Sequence, residues 1–137
     1  MIKLQVGVKA FLKNKEGKYL LLNRNTKKYS NNKGNWDIVG GRIDAGTYLA
    51  DNLQREVREE TQLSIVSEPK LIHAQDIILG EDKHVVRLSY CANCEGEVVL
   101  DLNENVEYKW MSIDEMKEQE DLDIYVTEIL EKNLLLK

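Results

Sequence analysis

Apolar and polar positions alternate through residues 4–12, where Val6, Val8, Ala10 and Leu12 share one face, and this period of two predicts a strand. Asn14, Lys15, Glu16 and Gly17 then read as a turn, and residues 19–22 as a second strand closing an antiparallel hairpin. Residues 24–35 are polar and turn-rich. Residues 36–39 form a short strand running into Gly40-Gly41, and Arg42-Ile43 continue the sheet. Asp44, Ala45 and Gly46 make a turn, with Thr47 as the expected N-cap of a helix ending near Thr61. Residues 65–79 and 84–94 predict two more strands about the break at 80–83, and 98–100 and 107–111 two short ones. Ser112 and Glu115 match a capping box and start a helix, and a last helix spans 122–135. This order implies an α+β or mixed α/β domain with helices covering a sheet.

At 137 residues the chain is one domain's worth, 1–137, able to bury about two-thirds of its unfolded surface. Its net charge of −5 argues against broad binding to a nucleic-acid backbone but leaves room for a small anionic substrate held by metal ions and a few basic side chains. No secretory signal or membrane-length apolar run is present, so a cytoplasmic location without membrane association is expected. Cys91 and Cys94 form a C-x-x-C with neither a second pair nor a nearby histidine, which favours reduced, structural thiols over a zinc or redox site. His73 and His84 lack metal-binding spacing and read as structural or substrate-facing.

The helix over 47–61 carries the candidate chemistry. At about 100° per residue, Ala50, Leu53 and Val57 make an apolar stripe, and Asp51, Gln54, Arg55 and Arg58 face water. Glu56, Glu59 and Glu60 cluster together, with Glu60 almost in line with Leu53 and therefore directed toward the domain. Like charges at i, i+4 and anions near a helix C-terminus each cost a few tenths of a kcal/mol to about 1 kcal/mol. Arg55 offsets part of this through Glu59, with Asp51 expected to hold Arg55. The remaining negative charge calls for a cation, and oxygen-only ligation suits Mg²⁺ or Mn²⁺.

The stretch from Gly41 to Leu63 resembles the Nudix (MutT-related) hydrolases, whose signature is G-x5-E-x7-R-E-U-x-E-E-x-G-U with U a bulky aliphatic residue. Gly41, Arg55-Glu56, Val57, Glu59-Glu60 and Leu63 match at the required spacing. Trp36 before the double glycine and residues 110–115 extend the likeness over most of the chain. Thr47 stands in place of the signature glutamate, Gln62 in place of its last glycine, and Val39 in place of a proline often found before the double glycine.

The resemblance implies an α/β/α sandwich around a central mixed β-sheet. It also implies Mg²⁺-dependent hydrolysis, with Mn²⁺ as alternative, of the pyrophosphate in a nucleoside diphosphate linked to another moiety. By the same resemblance Glu56, Glu59, Glu60 and the Gly40 carbonyl are metal ligands, and Arg55 orients the carboxylates. Glu104 is the further loop glutamate some members use, with Glu107 its nearest competitor. Arg24, Trp36 and Arg42 are the candidate substrate-binding residues, and Lys27, Lys28 and Lys33 lie near enough in sequence to meet phosphates. Which of Tyr29, Tyr90 or Trp36 stacks on a ring is left open, as is the choice between monomer and homodimer. The rival function is a nucleotide-binding sensor of the same fold without catalysis; RNA decapping would need a more basic surface.

Overall fold

The structure, a computed structural model, describes residues 1–26 and 34–135. The expected Lys27, Lys28, Tyr29 and Lys33 contributions lie outside the described residues. The elements are β1 (Lys3–Lys13), β2 (Tyr19–Arg24), β3 (Trp36–Asp37), β4 (Val39–Arg42), α1 (Leu49–Thr61), β5 (Ser64–Ile65), β6 (Lys70–Leu79), β7 (Lys83–Glu95), β8 (Asn105–Met111), α2 (Ile113–Glu118) and α3 (Ile124–Glu131).

The sheet is mixed. β1 runs parallel to β7 from Lys3↔Lys83 to Lys13↔Asn93 and antiparallel to β2 and β4, while β6 flanks β7 and β8 flanks β2. Both faces are covered, which explains why residues 19–22 of β2 are apolar or aromatic without alternation. Leu20 and Leu22 join Val8, Ala10, Leu12 and Val39 under Leu53 and Val57 of α1. Tyr19 and Leu21 join Phe11, Trp36 and Ile38 under Met116 of α2 and Val126, Ile129 and Leu130 of α3. This mixed α/β arrangement is the one the resemblance implied.

Several expected boundaries move. The strand expected over 65–79 is split into β5 and β6 around Pro69, whose ring nitrogen cannot donate to a ladder. Residues 98–100 are not a strand: the Val99 amide donates to the Thr61 carbonyl and ties this segment to the end of α1. Helix α3 starts at Ile124 because Asp123 Oδ1 accepts from the amides of Tyr125 and Val126, and it ends before Asn133, which has φ 56°. Ala50 is exposed and Asn52 is buried beside Leu53 and Val57, so the stripe on α1 is shifted from the expected one. The capping box of α2 is present in both directions between Ser112 and Glu115.

The N-cap of α1 is Tyr48, without a side-chain cap, rather than Thr47. The Thr47 hydroxyl is used inside the preceding turn, donating to the Asp44 carbonyl and accepting from Asn52 Nδ2, so it is turned away from the helix amides. At the other end Gln62 holds φ 60°, ψ 12° while its amide donates to the Arg58 carbonyl. A side chain in this left-handed conformation carries a steric penalty that glycine avoids. Gln62→Gly is therefore expected to stabilise the protein by about 1 kcal/mol, read as a higher urea midpoint with unchanged slope.

Candidate active site

The double glycine and the C-terminal half of α1 meet because β4 pairs with β1 and its Gly41 passes under Glu56. A Cβ placed on Gly41 would lie 2.7 Å from Glu56 Oε2, so the absence of a side chain there lets this carboxylate rest on the strand. Gly40, at φ 146°, has no room for a side chain either, since a Cβ would lie 2.0 Å from the Val8 carbonyl oxygen. The atoms nearest to an alanine Cβ at position 41 are those of the flexible end of Glu56. We expect Gly41→Ala to fold and to displace that carboxylate, lowering turnover by about tenfold to a hundredfold; paired thermal melts and rate measurements check both halves.

Glu56, Glu59 and Glu60 line one side of a cleft of about 830 Å³, with Gly40, Gly41, Arg42, Asp101, Glu104 and Asn105 around them. Burial pushes the Glu60 carboxyl up to about 8; Lys9 opposes the shift, Glu56 reinforces it, and Asn105 Nδ2 donates to Glu60 Oε1 at 3.1 Å. Arg55 lies outside the cleft lining and braces the cluster from behind. One guanidinium nitrogen contacts Glu56 at 3.2 Å and Glu59 at 3.3 Å. The other is held by Asn52 at 3.0 Å and Asp44 at 3.6 Å, so these two residues, rather than Asp51, position it.

Opposite this acidic wall is a buried ionic hub. Asp37 is 2% exposed and receives Lys9 Nζ at 3.0 Å, Arg24 Nη2, and Arg87 Nη2 at 2.9 Å. Burial alone would raise the Asp37 pKa, but Arg87, Lys9 and Arg24 hold it well below the usual carboxylate range. Asp123, 3.5 Å from Arg87, is shifted upward by burial and by Asp37. The Tyr125 ring lies 5.4 Å from the Arg87 guanidinium, and Ile77, Leu79 and Val85 make the rest of this end apolar.

A cation would fit the acidic wall by its donor chemistry. Glu56 and Glu60 are two carboxyls in direct interaction, Glu60 keeping its proton well above its ordinary range, and a divalent ion taking the place of that proton would let both ionise. Among the described residues, no three His, Cys, Asp or Glu side chains form a ready-made ion site, so the Gly40 carbonyl and the more exposed Glu59 would complete the set. Cys94 packs in the core under α1, Cys91 packs against the core under α2 and α3, and His73 and His84 pair with Glu128 and Asp76.

A family model described as the NUDIX domain matches residues 3–130. The chain belongs to the Nudix family. As a Nudix protein it is a hydrolase acting on phosphoanhydride bonds. Among solved structures it resembles a MutT protein from Methanosarcina mazei Go1, with 27% identity over 96% of this chain and 93% of that one and a TM-score of 0.80. A MutT NUDIX hydrolase from Burkholderia pseudomallei is 23% identical, with 94% and 97% covered and a TM-score of 0.79. The E. coli ORF135 protein is 20% identical, with 98% and 91% covered and a TM-score of 0.80. A comparison with curated proteins gave no match.

Of the other residues singled out in the Nudix pattern, Arg24, Arg42 and Glu104 line the cleft, whereas Glu107 sits exposed on β8 facing Asn23. Trp36 does not reach the cleft: it is 7% exposed, packs in the core under α2 and α3, and has Lys109 4.7 Å from its ring. Tyr90 packs against the core under α1. Among the described residues, the aromatic ring lining the cleft is that of Tyr125. Sequence reasoning also passed over Lys9, Asp37, Arg87, Asn105 and Asp123. The available signal was slight: Lys9 and Arg87 are charges inside strand patterns, flanked at period two by Gly7 and Phe11 and by Val85 and Ser89.

Proposed function

We propose that this Nudix hydrolase is a Mg²⁺-dependent enzyme, with Mn²⁺ as alternative ion, that cleaves the pyrophosphate linkage of a nucleoside diphosphate joined to another moiety. Nucleoside triphosphates, ADP-ribose and other nucleotide sugars, and dinucleoside polyphosphates are the candidate substrates. The observation that carries the reading is the Glu56–Glu60 pair, two interacting carboxyls kept partly buried in a cleft that also holds Arg24, Arg42 and Lys9. Glu56, Glu59, Glu60, Glu104 and the Gly40 carbonyl would hold the ion. When bound, a divalent ion neutralises phosphate charge and lowers the pKa of coordinated water. Arg55 fixes the rotamers of Glu56 and Glu59, and Arg24 and Arg42 orient the phosphates. We take the chain as a single domain acting in the cytoplasm as a monomer or homodimer, on small molecules rather than long nucleic acid. No described helix is long and apolar enough to cross a membrane.

The test is a panel of those substrates with Mg²⁺ and with Mn²⁺, scored by nucleotide and phosphate release. Turnover of at least one compound that disappears with EDTA and returns with Mg²⁺ is the expected result. The sensor reading draws on Thr47, which puts a hydroxyl committed to the Asp44 turn where the signature has a carboxylate. Tight binding across the panel without turnover would favour it.

A further inference from the structure

Lys9 belongs to neither the signature nor the acidic wall, yet it sits where the two halves of the cleft meet. It lies on β1 opposite Gly40, and its side chain crosses that residue so closely that a Cβ on Gly40 would come within 2.9 Å of Lys9 Cδ. Its ammonium donates to Asp37 Oδ2 at 3.0 Å and to the Ile38 carbonyl at 3.2 Å. An ammonium carries three protons, so one remains. The side chain keeps 16% of its surface, against 5% for Arg87, and Lys9 lines the cleft.

The neighbouring charges point the same way. Lys9, Arg24 and Arg87 gather around Asp37 and Asp123, making a cationic side to the cleft that suits an anion. Arg87 has Nη1 and Nη2 turned to Asp37 and is almost inaccessible, which leaves the better-exposed side chains of Lys9 and Arg24. Of these, Lys9 is the one beside Gly40 and within electrostatic reach of Glu60.

We propose that Lys9 is a phosphate-holding residue whose remaining ammonium proton donates to an oxygen of the substrate's diphosphate, gripping it independently of the metal ion. This rests on the reading of the cleft as the phosphoanhydride site. The buried Asp37 carboxylate fixes the ammonium in place, so the contact is pre-organised and little side-chain freedom is lost on binding. Substrate and ion would then be held by different walls, the phosphates on the cationic floor and the ion on the glutamates.

The test is calorimetric titration with inorganic pyrophosphate in EDTA, for the wild type, Lys9→Met and Lys9→Arg. Loss of one charge-assisted hydrogen bond predicts affinity weakened by about tenfold or more in Lys9→Met, with most of it restored in Lys9→Arg. Should Lys9→Met fail to fold by circular dichroism, Lys9→Gln, which retains donors for Asp37 and Ile38 without the charge, takes its place. Equal affinity in wild type and the uncharged variant overturns the proposal, as does absence of pyrophosphate binding by the metal-free wild type. Because this assay reads binding without metal, its failure is distinguishable from failure of metal-dependent hydrolysis.

Discussion

Glu60→Gln is expected to leave a folded protein whose metal-dependent hydrolysis falls by at least about 10²-fold, the scale on which single charge-stabilising groups act in enzymes. The substitution keeps shape and the hydrogen bond to Asn105 while removing the anion. Its stability should depend on pH in a direction that follows from burial. The Glu60 pKa is raised from 4.5 to about 8 in the metal-free protein, so the folded state retains a proton that the unfolded chain releases. The corresponding stabilisation is fully present below about pH 4.5 and is lost as pH rises through about 8. Glutamine imitates the protonated form. Metal-free Glu60→Gln should therefore match the wild type in acid and exceed it at pH 9 by at least about 1 kcal/mol, the amount carried by one pKa unit. Denaturant melts in EDTA at the two pH values, beside rates with Mg²⁺, measure both effects. Undiminished turnover would remove the helix from the chemistry, and equal stability at pH 9 would remove the argument that the site holds its charge at a cost.

Asp37→Asn should have the largest effect on folding. The carboxylate is 2% exposed and is the shared partner of Lys9, Arg24 and Arg87. Neutralising it removes the shared partner of three cations and leaves Asp123, beside Arg87, as the remaining carboxylate of the hub; breaking such a network from one side destabilises by about 3–5 kcal/mol. The sign is opposite to that at Glu60. Because the folded-state pKa of Asp37 is lowered, its contribution is present above the unfolded value near 3.8 and fades as pH falls below it. The stability difference between wild type and Asp37→Asn should therefore be full at pH 7 and narrow progressively in acid, as read from urea midpoints across that range. A neutral substitution with no loss at pH 7 would mean that the three cations have other partners and that the hub does not organise the cleft.

The two carboxylates illustrate how differently the halves of the cleft are written in the chain. Glu60 was legible because helical geometry relates residues three and four apart: REVREE places its anions together whatever the rest of the protein does. The signature spacing from Gly41 to Leu63 is local for the same reason, and so is the capping box at Ser112 and Glu115. Asp37 looked like one polar residue in a short strand. Its partners lie 28, 13 and 50 residues away, and nothing in a periodicity of two tells which strands will neighbour one another. Trp36 shows the reverse case. It stood among the candidate substrate-binding residues, with the choice of stacking ring left open, and the covering by α2 and α3 puts its ring in the core.

By itself, then, the sequence determined most of the element types, though not the irregular segment at 98–100, together with the family and the acidic edge of α1, since each depends on residues close enough in the chain to impose their geometry on one another. It also carried Gln62 as the weak exit of that helix, and the backbone there takes the left-handed conformation glycine would have accepted. Tertiary structure alone decided that β1 runs parallel to β7, and hence that Lys9 and Arg87 share one floor with Asp37 while Tyr125 closes it. The physical reason is that strand parity assigns a side chain to a face, whereas the identity of the opposing face is set by long-range pairing and by which helix buries the larger apolar surface against it.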